Sequence, residues 1–579
     1  MKRFLTSVLA TIVGGFVLIF LGISFLTALG VSAEDAAYDL PDEYVLVLDS
    51  SLISDEQGSV PDIPSLITGN YQETVALRRL LEAIDYAADD DEVKAILMDG
   101  SMQISGSAQR HQVHKALLAF RESGKKIYAF SDGYDMNAYH LASVADEIFM
   151  PPMADFYMLG IAAELSFYAE ALENIGVEFQ VTKVGKYKSA VEPFILSEAS
   201  TENMLQIEML LEDIQLDLLQ DIANGGRATV DELQAAIDNV GVFTINEAIA
   251  AGFVDEVMYR DQLIVRMTEL FGLNEDEDSF IQVGINSYLN AFDFNDDVNA
   301  NIAVIYADGE IVDGYSMDGI GGDGLSEQLR AVRAEETIEA VVLRVNSPGG
   351  SAYASEQILR EVELLRESGK KVVVSMGAVA ASGGYWISSR ADAIVAQANT
   401  ITGSIGVFGM FPNYKKLADK VGINHQTVQT GKYADVFTLT RGKTAEELAL
   451  IQKSVDKIYD DFLDRVSSGR ALDRDAVHEM AQGRVWSGSR ALELGLVDQL
   501  GGLDDAIDLA AELAEIDVVL VSYREPELNE FDEILAGLLS GDDYPIVKTP
   551  AVIAQLLNRI PVSLITPGVK ARLPFDLDF

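Results

Sequence analysis

Gly185-Lys186-Tyr187-Lys188-Ser189-Ala190-Val191-Glu192-Pro193-Phe194 decides the fold, because its opening returns as Gly431-Lys432-Tyr433, 246 positions later (431 − 185). The same offset lays Ala391-Asp392 on Ala145-Asp146, Gly422 on Gly176 and Tyr385 on Tyr139. Further on it falls to 243 (485 − 242): Val242-Phe243-Thr244 meets Val485-Trp486-Ser487, and Gly252-Phe253-Val254-Asp255 meets Gly495-Leu496-Val497-Asp498. One module is written twice, with a small deletion. The copies differ where chemistry is possible. Ser382, in Ala380-Ala381-Ser382-Gly383-Gly384-Tyr385-Trp386, falls opposite Met136, and Lys188 falls opposite Ala434. Each copy holds what the other lacks, which points to one serine–lysine site assembled from two diverged domains.

Outward from the repeat, strand-length apolar runs alternate with helical patterns, the signature of α/β units. The first module is expected over 38–270. Its strands are read at Tyr44 to Leu48, Ala95 to Met98, Lys126 to Phe130 and Glu147 to Met150, with a helix at Gln112 to Glu122. The second is expected over 300–520. Its strands are read at Ile302 to Tyr306, Ala340 to Val345, Lys371 to Ser375 and Ala393 to Ala396, with a helix at Ala354 to Ser368. The acidic stretch Leu273 to Ser279 reads as part of the connection. The tail, 525–579, has no counterpart in the first copy and carries Pro545, Pro550, Pro561, Pro567 and Pro574, so an extended segment is expected.

A chain of 579 residues exceeds what one core supports. The absence of cysteine excludes disulfide frameworks, thiolate metal sites and thiol nucleophiles. A net charge of −50, from 92 acidic and 42 basic residues, excludes a nucleic-acid partner, whose phosphates need Lys and Arg. It fits either a high-salt habitat or simply a well-solvated surface. Residues 4–31, Phe4 to Val31, form a nearly uncharged apolar run long enough to span a bilayer. Lys2 and Arg3 precede it and Glu34, Asp35 and Asp39 follow, which puts the N-terminus inside and the rest outside. Residues 1–33 are therefore expected to be a retained membrane anchor. Val31-Ser32-Ala33 also has the look of a signal-peptide cleavage site, but the apolar run is long for one.

The small residues around Ser382 allow a tight turn, and a serine opening a helix faces backbone N–H groups able to hold an oxyanion. The ordinary role for such a serine is a helix N-cap. Asn346-Ser347-Pro348-Gly349-Gly350-Ser351 follows another strand, where Gly349 and Gly350 can turn N–H groups to a carbonyl or merely make a turn. The first copy reads Gly100-Ser101-Met102-Gln103-Ile104 there, so it lost the glycine pair together with the serine. Lys188 acts as a base only if burial lowers its pKa, and Ala190, Val191 and Phe194 offer the apolar wall. Otherwise it is a solvated surface lysine. Lys186, matched by Lys432, reads as structural or surface-bound, and Lys183 is a bystander. Ser404, in Thr402-Gly403-Ser404-Ile405-Gly406, opposes Met158 and either orients the lysine or serves a turn. The five histidines form no HExxH motif, Ser382 is not in a GxSxG elbow, and Ser454-Val455-Asp456-Lys457 is an isolated SxxK in a charged helical stretch. No metal or organic cofactor is expected.

The runs YKSAVEPF, NSPGGSA, ASGGYW and TGSIGVFG together resemble the signal peptide peptidase A (protease IV) family in its long, two-domain form, from the anchor to about Leu503. That resemblance implies tandem duplicated Clp-protease/crotonase-like α/β domains. It implies a Ser/Lys dyad with Ser382 as nucleophile and Lys188 as general base, an oxyanion hole from Gly383 with Gly349 or Gly350, and Ser404 orienting the lysine. It further implies a bowl-shaped homotetramer on the outer face of the bacterial cytoplasmic membrane, degrading apolar peptides such as spent signal peptides. The acidic surface and the proline-bearing tail depart from the family pattern. A crotonase-type acyl-CoA enzyme and a non-catalytic membrane-anchored scaffold are the alternatives; the anchor and Lys188 argue against the first, the complementary Ser382 and Lys188 against the second.

Overall fold

The computed structural model describes residues 40–49, 52–54, 74–104, 106–274, 278–292, 299–316 and 319–524, and the backbone of 568–572. The expected anchor, 4–31, lies outside them. Among the described residues, no helix is long and apolar enough to cross a membrane.

In chain order the strands that matter are β1 (Tyr44–Leu48), β2 (Val93–Asp99), β3 (Lys126–Phe130), β4 (Glu147–Met150), β5 (Glu178–Val184), β6 (Glu256–Val257) and β7 (Gln282–Gly284). The second copy supplies β8 (Ile302–Asp308), β9 (Ala340–Ser347), β10 (Gly349–Ser351), β11 (Lys371–Ala381), β12 (Ile401–Gly403), β13 (Val407–Asn413), β14 (Val485–Ser487) and β15 (Val521–Arg524). A strand from the tail, β16 (Gly568–Arg572), completes the set. The helices used below are α1 (Ser107–Glu122), α2 (Met136–Ala142), α3 (Thr201–Asn224), α4 (Ala352–Glu367) and α5 (Gly383–Ser388).

The first module is built on a six-stranded parallel sheet, β6-β4-β3-β2-β1-β7. The second holds an eight-stranded sheet with the path β14-β12-β11-β9-β8-β15. Both sheets are covered on both faces, so their strands read as unbroken apolar runs. In β8, Ala303 and Ile305 face one core and Ile302 and Val304 the other; in β2, Ile96 and Ala95 part the same way.

The chain stays with the first core past residue 270. Leu273–Asn274 pairs with Ser279–Phe280 as an antiparallel ribbon, β7 joins the sheet edge beside β1, and Val283, Ile285, Tyr288 and Leu289 are buried in that core.

A third sheet joins the copies in the order β5-β13-β16-β10, followed by Ile311–Val312 and Ile320–Gly321. β5 of the first module runs antiparallel to β13 of the second over their whole length, Glu178 opposite Asn413 and Val184 opposite Val407. Lys188 follows β5 and so lies beside this seam.

Candidate active site

β11 runs on past Ser375 to Ala381, so Ser382 follows the strand directly and opens α5. Its backbone is at φ 56°, ψ −112°, a conformation costing a non-glycine residue about 1–3 kcal/mol. The Ser382 N–H donates to Gly403 O at 2.8 Å, and its carbonyl accepts from Trp386 N at 2.8 Å, which fixes the turn. The hydroxyl makes no capping bond to the helix. Instead it lies 2.8 Å from Lys188 Nζ.

Lys188 reaches the serine from the loop after β5, across the module seam and within one chain. Its amine also donates to Ser404 Oγ at 2.9 Å and Ser404 O at 3.0 Å. Lys188, Ser382 and Ser404 are each 0 % exposed. The expected wall is present: Ala190, Val191 and Phe194 pack with Phe408 and Met410 in one buried cluster. Desolvation holds the Lys188 pKa well below the usual lysine value, because no carboxylate is present to repay the burial of a charge. Lys186 is an exposed surface lysine: its ammonium lies over the Tyr187 ring at 5.1 Å, and exposed Lys432 repeats the contact on Tyr433 at 5.3 Å. Lys183 reaches only the carbonyl of Lys188, at 3.4 Å.

Gly383 lies against Gly349 and Gly350. A Cβ on Gly383 would stand 3.1 Å from Gly349 Cα and from Gly350 N, so only glycine permits this approach. The Gly349 N–H donates to Ser347 Oγ at 3.2 Å, and Ser347 Oγ donates to Gly309 O at 2.6 Å.

Sequence reading missed several supports. Gly483 (φ +78°) and Gly406 make room for the lysine: a Cβ on Gly483 would fall 2.6 Å from Lys188 Cβ, and one on Gly406 3.2 Å from Lys188 Cδ. Gln206 on α3 donates to Tyr187 O at 3.1 Å and Ser189 Oγ at 2.9 Å, bracing both neighbours of the lysine. Ser189 in turn donates to Asn203, which donates to buried Glu192. Gly406 and Gly483 reach the lysine from the second module, whereas Gln206, Asn203 and Glu192 brace its loop from within the first, through contacts that no local pattern announces.

In the first copy the position opposite Ser382 holds Met136. It lines a cavity of about 270 Å³ with Arg110, Asp135 and His140, so the vacated site has become a different environment.

A duplicated α/β fold whose two copies contribute a buried amine and a hydroxyl in contact defines a class of serine hydrolase without histidine. The family model for "Peptidase family S49" matches residues 119–274 and 364–517, and the chain belongs to that family of serine peptidases. "Protease 4" of Salmonella typhi is 34% identical over 502 residues, covering 85% of this chain and 79% of its own. "Serine protease SPPA, chloroplastic" of Arabidopsis thaliana is 32% identical over 526 residues, covering 88% and 76%. Among solved structures, a mutant of ClpP1 from Listeria monocytogenes covers 36% of this chain and 94% of its own at 14% identity with TM-score 0.24.

Proposed function

We propose that this chain is a membrane-anchored endopeptidase in which Ser382 is the nucleophile and Lys188 the general base. The observation that carries the reading is the 2.8 Å contact between Lys188 Nζ and Ser382 Oγ, fully buried and free of histidine. The neutral amine takes the hydroxyl proton as Oγ attacks the scissile carbonyl carbon. The carbonyl oxygen becomes an anion held by the N–H of Gly383 together with one from Gly349 or Gly350, whose backbone lies against Gly383. The ammonium returns the proton to the leaving amine as the C–N bond breaks. Water then enters, Lys188 removes its proton, and the acyl-enzyme is hydrolysed. Ser404 orients the amine throughout.

A slot for substrate is suggested by β16. This strand lies between β10 and β13 and pairs antiparallel with each, Gly350 opposite Ala571 and Gly409 opposite Val569. A substrate peptide in the same slot adds a strand beside the oxyanion glycines, recognised chiefly through its backbone. Residues 4–31 anchor the chain in the bacterial cytoplasmic membrane, with both modules on the outer face. Apolar peptides left there after export, spent signal peptides among them, are the proposed substrates.

The test is hydrolysis of a fluorogenic apolar peptide by wild type, Ser382→Ala and Lys188→Ala, with folding checked in each. Loss by about three orders of magnitude or more in both supports the dyad. Near-full activity in a folded Lys188→Ala overturns it.

A further inference from the structure

Three of the five histidines meet in one place, far in sequence from the serine. His111 and His114 stand three residues apart on α1, Asp217 and Asp221 four apart on α3, and His140 lies on α2. Spacings of three and four put each pair on one helix face, and the helices bring the two faces together. His111, Asp217 and Asp221 offer ligand atoms all within 4.8 Å of one another. The separations are 2.7 Å from His111 Nδ1 to Asp221 Oδ2 and 4.0 Å to Asp217 Oδ2. Ligands about 2.0–2.2 Å from a tetrahedral ion stand roughly 3.3 Å apart, between those two values.

Hydrogen bonding leaves this cluster incomplete. Asp221 Oδ2 serves two imidazoles, His111 and, at 2.9 Å, His140 Nε2. Asp217 Oδ2 is buried with no hydrogen-bond partner. Among the described residues, the ion pairs of both carboxylates run only to histidine. Like charges four apart on a helix repel, and a cation between them removes that cost. His111 and Asp217 keep 23% and 15% side-chain exposure, which leaves a way in from solvent. His140, 2 % exposed and stacked on His114 at 4.8 Å, has the place of the hydrogen-bond donor that orients a ligating carboxylate.

We propose that His111, Asp217 and Asp221 bind a divalent first-row transition-metal ion such as zinc, with His140 positioning Asp221. One nitrogen and carboxylate oxygens suit that class of ion. The ion fastens the C-terminal half of α3 to α1. Further towards its N-terminus the same helix carries Gln206, which braces the Lys188 loop, and Asp213, which pairs with Arg490 of the second module. No local motif announces this set, because its ligands come from two helices about a hundred residues apart.

The test uses the full chain in detergent, stripped with EDTA and held in high NaCl with excess Mg²⁺ to silence weak binding by the acidic surface. Co²⁺ is titrated first, then Zn²⁺. One Co²⁺ per chain with a visible d–d absorption band, displaced by Zn²⁺ with a rise in Tm, is the expected result. Asp217→Asn, nearly isosteric, and His111→Gln should abolish the band, and His140→Gln should weaken affinity about 10–100-fold. Absence of the band in wild type, or its survival in folded Asp217→Asn and His111→Gln, overturns the proposal.

Discussion

Lys188 owes its proposed role to where it is buried. An ammonium in that site has only three hydroxyl or carbonyl oxygens to meet it, so desolvation dominates and the neutral amine is favoured. In the pH window between the depressed folded value and the ordinary lysine value of 10.5, the unfolded chain binds a proton that the folded chain does not. Stability therefore rises with pH across that window, and the cost of burying lysine is full below it. Two outcomes are expected. The kcat/KM profile should show an acid limb, activity rising as Lys188 loses its proton, with a midpoint well below 10.5; a limb at the ordinary lysine value would mean that Lys188 is not the base. Lys188→Met should be inactive yet more stable than wild type at neutral pH, by about 1–4 kcal/mol, with the gain shrinking as pH rises. Denaturant melts at several pH values measure this. Gly483 tests the packing around the lysine. Gly483→Ala meets both a positive φ and the lysine backbone 2.7 Å away, whereas Gly369→Ala has φ +96° but nothing within 4 Å. The first should cost at least about 2 kcal/mol and most of the activity, the second only the backbone strain. Equal losses in the two would show that Gly483 does not shape the lysine site.

Among the elements, the strands buried on both faces were the most legible. Tyr44–Leu48, Lys126–Phe130, Glu147–Met150 and Ala393–Ala396 lie where their apolar runs place them. β11 was not, because Met376-Gly377-Ala378 looks like the start of a loop. The strand carries on through it, pairing Ala380 with Ser347 and Thr402, and so delivers Ser382 beside Gly349 and Gly350. The contact between Ser382 and Lys188 was legible because duplication supplies an internal control: each lacks a counterpart in the other copy. Their supports were not: Gly483 meets the lysine across the seam, and Gln206 reaches its loop from a helix of the same module about twenty residues on. The tail was read as extended, and residues 568–572 are a strand, in a slot that no local pattern specifies. If substrate takes that slot, the chain's own strand competes with it. Deletion of 525–579 should then raise kcat/KM for short peptides several-fold while leaving the acid limb unchanged; an unchanged kcat/KM in a folded truncation would show that β16 does not compete.

Over the whole molecule, the seam between copies has a counterpart left open. β5, residues 178–184, pairs with β13, residues 407–413. Adding 246 to the first gives 424–430, and subtracting it from the second gives 161–167. The segment equivalent to β5 has no strand partner among the described residues: residues 421–434 are all exposed, Val428 to 99% and Val421 and Ile423 to more than half. Residues 161–167 alternate between half-buried and exposed, as a strand edge does. Each module thus holds one half of the seam pattern without its complement, and in the homotetramer that the family resemblance implies a second copy would supply it. Such a contact would be head-to-tail and would close into a ring when the rotation allows. Val428→Pro removes a donor from this exposed segment and stiffens it. Sedimentation of the variant should give smaller species than wild type, with the secondary structure and the Tm of the protomer retained, because Val428 touches no core of its own chain. Wild type sedimenting as a monomer would sink the ring. A variant that assembles normally would move the contact away from 424–430, to another surface of the second module.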